Sequence, residues 1–177
     1  MSRINILLKL KGELYHTGDL ALIWGIKNNN TLYTTIKRYV KNGILIPIHK
    51  GYYSTIPLIQ INPFNLAAGY LHRFVYVSCE YILTKADIIF QKGNYFTLIS
   101  DVSKRFTIGG NSFWVRKLKD KYLFNNCGIM ENNGVNWASV ERAVADLLYF
   151  NPNYYFDNRS RINWRKVKEV QEGVGYR

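Results

Sequence analysis

Apolar residues return at one-turn spacing in two runs near the start of the chain: Leu20, Ile23 and Trp24, then Leu32, Ile36, Tyr39 and Val40. That spacing predicts two amphipathic helices. Thr17 is placed to cap the first, and Asp19 falls in its first turn, where a negative charge suits the helix dipole. Gly25 ends that helix. Lys27-Asn28-Asn29-Asn30 is turn chemistry, because asparagine tolerates strained backbone and caps the next helix. The second helix is predicted from about Thr31 to Lys41, with Gly43 as its left-handed stop. Ile44-Leu45-Ile46-Pro47-Ile48, the turn His49-Lys50-Gly51 and the return Tyr52-Tyr53-Ser54 predict a tight hairpin. Pro47 has no N–H to give a ladder, so its strand is expected at a sheet edge. Upstream, Ile4, Leu7, Leu8 and Leu10, among Lys9 and Lys11, predict the helix that completes a three-helix core.

Beyond the hairpin, Thr55 to Asn65 contains Pro57 and Pro63 and has no clear period, which predicts a connector. Ser78 is placed to cap a helix reaching about Ala86, with Glu80 in its first turn and Tyr81, Ile82 and Leu83 turned inward. Strands are expected at 95–99, 105–108 and 113–118, with Gly109-Gly110-Asn111 turning between the last two. Shorter strands are expected at Tyr122-Leu123-Phe124 and Cys127-Gly128-Ile129. Helices near Ser139–Phe150 and Asn163–Gln171 complete the chain, the latter capped by Asn163. The expected fold class is α+β: a winged helix-turn-helix at 1–56, then a mixed α/β domain with an antiparallel sheet at 57–177.

Charge sharpens the reading of the second helix. Its outer face is left with Thr31, Thr34, Thr35, Lys37, Arg38 and Lys41, and no acidic residue occurs between Lys27 and Lys50. A generic surface helix mixes signs, with Glu and Asp supporting Lys one turn away. An anionic partner accounts for the missing carboxylates, and a winged helix-turn-helix lays such a helix in the DNA major groove. The expected DNA contacts are Asn30, Thr31, Tyr33, Thr34, Thr35, Lys37, Arg38, Lys41, His49 and Lys50. Thr31, Thr34, Thr35 and Arg38 would approach base edges, while Lys37, Lys41 and Lys50 would hold phosphates. Tyr33 is placed to serve either layer. A neutral, exposed turn histidine is the competing reading of His49, and a helical hairpin docked on protein is the competing reading of the segment.

The formal charge of +12 at pH 7 is unevenly spread, with 8 Lys/Arg against 2 Asp/Glu in residues 1–54 and 16 against 10 in 55–177. Such a field raises encounter rates with phosphate polymers. No apolar run is long enough to span a bilayer, and Lys9 and Lys11 interrupt the start before a signal-peptide core forms, so a cytoplasmic protein without membrane partners is expected. Cys79 and Cys127 lack paired spacing and read as unpaired thiols in a reducing compartment. His16, His49 and His72 are scattered without metal-ligand spacing, so neither a metal nor another cofactor is expected.

Two clusters in the second region admit two readings each. Lys104, Arg105, Arg116, Lys117, Lys119 and Lys121 crowd the expected strands among Phe106, Phe113 and Trp114. They make either a second nucleic-acid surface or a solvated sheet face with its aromatics in the core. Arg142 and Asp146 lie one helical turn apart beside Glu141, as an interdomain or core-edge ion pair or as catalytic groups. A fused nuclease would need a carboxylate followed two positions later by Lys, and no Asp or Glu here has one. A non-enzymatic protein is expected.

TLYTTIKRYVKNGILIPIHKGYYS (31–54), Tyr76-Val-Ser78-Cys-Glu80, ASVERAVADLLY (138–149) and Ile162-Asn-Trp164 together resemble the AbiEi family of antitoxins, over nearly the whole chain. Where that family has a glycine after the middle helix, this chain has Ala86-Asp87. The resemblance implies an N-terminal winged helix that binds repeats in its own promoter and represses the operon. It also implies a C-terminal domain that opposes a nucleotidyltransferase-like toxin in a type IV toxin–antitoxin system of abortive infection and phage defence, without a stable toxin complex. The alternative is a stand-alone winged-helix transcription factor whose C-terminal domain senses a ligand or partner.

Overall fold

A computed structural model describes residues 3–10, 12–91 and 93–176. The fold is α+β, and the chain separates into two compact units, Met1–Leu71 and His72–Arg177. The break falls later than the expected 56/57 boundary: the end of the expected connector and the residues after it form the helix Pro63–Leu71, which belongs to the first unit.

The first unit runs α1 (Arg3–Leu10), β1 (Leu14–His16), α2 (Thr17–Trp24), α3 (Asn29–Lys41), β2 (Ile46–His49), β3 (Tyr52–Ser54), a 3-10 turn at Leu58–Gln60 and α4 (Pro63–Leu71). Its three strands form an antiparallel sheet in the order β1-β3-β2, so Pro47 lies on an edge strand as expected. Leu7, Leu20, Trp24, Leu32, Ile36, Tyr39 and Leu45 close one core under the helices, with Trp24 edge-on to Tyr39 at 5.2 Å. Lys11 and the side chain of Leu8 lie outside the described residues. Thr17 does not cap α2. It is the helix's first residue, while the His16 N–H donates to Asp19 Oδ2 at 2.7 Å. Gly25 and Gly43 take φ of 63° and 68°, ending α2 and closing the turn after α3 as glycine allows.

The second unit has β4 (Val75–Val77), α5 (Glu80–Lys85), β5 (Phe96–Ser100), β6 (Lys104–Ile108), β7 (Asn111–Lys117), α6 (Asp120–Leu123), β8 (Ile129–Asn132), β9 (Val135–Ala138), α7 (Val140–Phe150), a 3-10 turn at Arg159–Arg161 and α8 (Trp164–Val174). The sheet order is β6-β7-β5-β4-β9-β8. It is mixed rather than antiparallel, since β5 pairs with β7 and β4 with β9 in parallel. Gly109 and Gly110 both take positive φ, as a two-residue hairpin turn requires. Residues 122–124, expected as strand, instead close the short helix α6, and Cys127-Gly128 form the turn before β8. Ser78 does not cap α5; it is buried and its hydroxyl goes to Asp146.

α5, α7 and α8 pack in one core with Ile99, Leu83, Val144 and Phe156. Ser139 and Asn163 accept from the N–H groups of Arg142 and Lys166 at 3.1 Å each and cap α7 and α8. Just past α5, Asp87 sits at φ 54°, a backbone that glycine takes without strain.

Candidate nucleic-acid interface

Helix α3 is built to show one face. Asn28 stands just before it and accepts the Thr31 N–H at 3.1 Å, a cap of the kind that contributes about 1 kcal/mol. Leu32, Ile36 and Tyr39 are buried and Val40 half-buried, which fixes the helix rotation. The opposite side carries Asn30, Thr34, Lys37 and Lys41, all exposed and stacked one turn after another. Thr31, Tyr33 and Arg38 flank that row and are exposed; Tyr33 is 52% accessible and the Arg38 guanidinium leans over the Tyr39 ring at 5.5 Å.

Thr35 does not belong to this face. It is 6% exposed, and its Oγ1 donates to the Thr31 carbonyl at 2.8 Å. Its position, one turn after Thr31 and three residues after Leu32, rotates it inward, so no base contact is available to it.

The β2–β3 turn presents Lys50, exposed, with Gly51 at φ 76°. The Thr17 N–H and Oγ1 both donate to the Gly51 carbonyl, at 2.9 and 3.3 Å. The turn is thus tied to the first residue of α2. His49 is exposed with its ring edge-on to Tyr70 at 5.1 Å. Tyr70 carried no signal in the sequence, since α4 hides behind two prolines. Between Asp19 and Glu80 the chain has no carboxylate, so every charge carried by α3 and the β2–β3 turn is positive.

The basic residues of the second unit divide differently. Lys104, Arg105, Lys117, Lys119 and Lys121 are exposed, Arg116 is half-buried and ion-paired to Glu80. Of the aromatics between them, Phe113 is fully buried, whereas Phe106 and Trp114 are only half-buried. The sheet is therefore neither a purely solvated face nor a continuous stacking platform.

Arg142 and Asp146 form a core ion pair, both side chains 0% exposed, with Arg142 Nε to Asp146 Oδ1 at 2.8 Å. Asp146 also accepts from Ser78 Oγ at 2.7 Å, Tyr76 Oη at 3.1 Å and the Tyr176 hydroxyl. Arg142 donates to the carbonyls of Tyr122, Asn125 and Cys127 and to Tyr76 Oη, which pins the 122–127 loop. Burial works against its charge, but Asp146, then Tyr76 and Tyr176, more than offset that and hold its pKa above the ordinary value. Burial first and Asp146 next push the Tyr76 and Tyr176 phenols up. Every strong group here is spent on a neighbour, which is the condition for a charge to persist in a core. Gly128 lies against it: a Cβ there would come within 2.8 Å of Arg142 Cβ.

Cys79 and Cys127 are free thiols, and no helix among the described residues is long and apolar enough to cross a membrane. No protein-family model matches this chain, and no curated protein matches it.

Proposed function

We propose that this chain is a cytoplasmic DNA-binding antitoxin that represses its own operon through a winged helix-turn-helix in the first unit and opposes a nucleotidyltransferase-like toxin through the second. One observation carries the DNA half. α3 offers an outward row of Asn30, Thr34, Lys37 and Lys41, without a carboxylate, and the β2–β3 turn of the same unit presents Lys50. A helix about 10–12 Å across fits a major groove about 12 Å wide. Lys37, Lys41 and Lys50 hold phosphates, while Thr31, Thr34 and Arg38 face base edges and Tyr33 and Asn30 border the backbone. The element order, three helices with a three-stranded sheet ending in a hairpin, supports the winged-helix reading.

The antitoxin half rests on the resemblance to the AbiEi family. Ser139, Arg142 and Asp146, which carry much of that resemblance, serve capping and packing here, so toxin antagonism is assigned to the second unit as a whole. No stable complex with the toxin is part of the reading.

The test is a gel-shift titration of the DNA upstream of the gene, together with co-expression of the adjacent gene and either the full chain or residues 72–177. Specific retardation by the full chain and rescue from toxicity are the expected results. Absence of specific retardation removes the DNA reading. Retardation without rescue removes the antitoxin and leaves a transcription factor.

A further inference from the structure

The second unit contains a hollow of about 400 Å3 that the proposed function does not use. Sites that enclose small ligands span about 300–1,000 Å3. Helix α5 supplies Tyr81, Thr84 and Lys85, the start of β5 and the residues before it supply Asn94, Tyr95 and Phe96, and the β6–β7 turn at Gly110 completes the wall. Lys85, Asn94 and Tyr95 are exposed and Tyr81, Thr84 and Phe96 half-buried, so each keeps surface that a bound molecule can touch.

The hollow carries one unanswered charge. Glu80 also lines it, but its carboxylate is ion-paired to Arg116. Lys85 makes no ion pair among the described residues. Its ammonium lies 4.8 Å from the centroid of the Tyr81 ring and 5.9 Å from that of Trp137. The ring quadrupole holds such a cation in place without neutralising it. Thr84 Oγ1 and the Asn94 amide have no hydrogen-bond partner among the described residues, which leaves a hydroxyl and an amide for a ligand. The rest of the wall is aromatic: Tyr95 is 43% exposed, and Phe96 meets Tyr81 edge-on at 5.2 Å.

These features select the occupant. One ammonium balances one carboxylate, whereas a phosphate monoester brings about −1.5 to −2 charges at pH 7. A neutral ring would gain nothing from Lys85, and an acid without a ring would leave Tyr95 and Phe96 uncovered. We propose that this hollow binds a small aromatic carboxylic acid. Its carboxylate lies on Lys85, its ring against the open sides of Tyr95 and Phe96, and its polar substituents face Thr84 and Asn94. No residue of the first unit takes part, so the acid site and the DNA reading stand or fall separately.

The experiment is titration calorimetry of the full chain with para-hydroxybenzoate, with its neutral counterpart para-hydroxybenzamide, and with acetate. Saturable binding of the aromatic acid is expected, with the amide about 5-fold weaker or more and acetate weaker still, as loss of one charged contact or of the ring implies. Lys85→Met keeps the apolar stem and removes the charge; it should weaken the acid about 5-fold and leave the amide unchanged. Tyr95→Ala should weaken acid and amide alike, about 2- to 10-fold. Both positions are exposed, and the comparison of acid with amide on the unaltered chain stands whatever the variants do. No saturable binding of the aromatic acid up to about 1 mM overturns the proposal. So does equal affinity for acid and amide, or acid binding that Lys85→Met leaves unchanged.

Discussion

Replacing both lysines of the outward α3 row, Lys37→Ala/Lys41→Ala, is the sharpest perturbation of the DNA reading. Both side chains are exposed and neither makes an ion pair among the described residues, so the helix loses charge without losing a contact. Alanine also has the higher helix propensity, which guards against unfolding as the cause of any defect. Each phosphate neutralised contributes about −0.9 to the slope of log affinity against log salt. With Lys37, Lys41 and Lys50 on phosphates, one protomer has a slope of about −2.7, so raising salt from about 50 to about 200 mM weakens binding about 40-fold. The double variant keeps only Lys50 and a slope of about −0.9, and the same change of salt weakens it about 3.5-fold. Fluorescence anisotropy of a labelled operator duplex across that range measures both slopes. A double variant that keeps the parental slope refutes the assignment of α3 as the groove helix, whatever its absolute affinity.

Thr35→Val should leave operator affinity within about twofold of the parent, because the side chain faces the core and bonds the Thr31 carbonyl; a large loss of affinity in the anisotropy assay would return Thr35 to the interface. Arg38→Ala, by contrast, should relax base preference, with a cost of about 1–3 kcal/mol on the best site and little on others, read by competition with operator variants. Asp146→Ala strands the buried Arg142 charge and should cost about 3–5 kcal/mol in urea unfolding; a loss below about 1 kcal/mol would contradict the ion-pair account. Alkali should also destabilise the fold. Tyr76 and Tyr176 have folded pKa values raised above the unfolded value near 10, so their contribution is fully present below about pH 10 and is lost as pH rises through the folded values. The unfolding free energy from urea titration should be flat from about pH 7 to 9 and fall above 10, by up to about 1.4 kcal/mol per pH unit for each retained proton.

Elements with their own caps and a one-sided apolar stripe were legible in the sequence. α3 with Asn28, α7 with Ser139 and α8 with Asn163 lie within a residue or two of their expected starts. β4 was not, because Val75-Tyr76-Val77 is buried on both faces and lacks alternation. Helix α6 was lost for a related reason: Tyr122-Leu123-Phe124 is a short apolar run, and periodicity alone does not separate strand from helix over so few residues. Parallel pairings join strands distant in the chain, so no local signal announces them. On α3 and the β2–β3 turn, Asn30, Thr31, Tyr33, Thr34, Lys37, Arg38, Lys41, His49 and Lys50 are exposed, as the sequence pattern implies. Thr35 is buried because its angle around the helix puts it next to Tyr39, at the edge of the apolar stripe, whatever its hydroxyl suggests.

The donors around Asp146 come from Tyr76, Ser78, Arg142 and Tyr176, so both ends of the second unit converge on one carboxylate. Neither half of that unit holds a finished core by itself. A protease cut between β4 and α7 would release fragments that each carry an unanswered charge or hydroxyl, and they would collapse or reassociate rather than persist as smaller folded pieces. Loss of either end of the unit therefore leaves that one carboxylate short of donors.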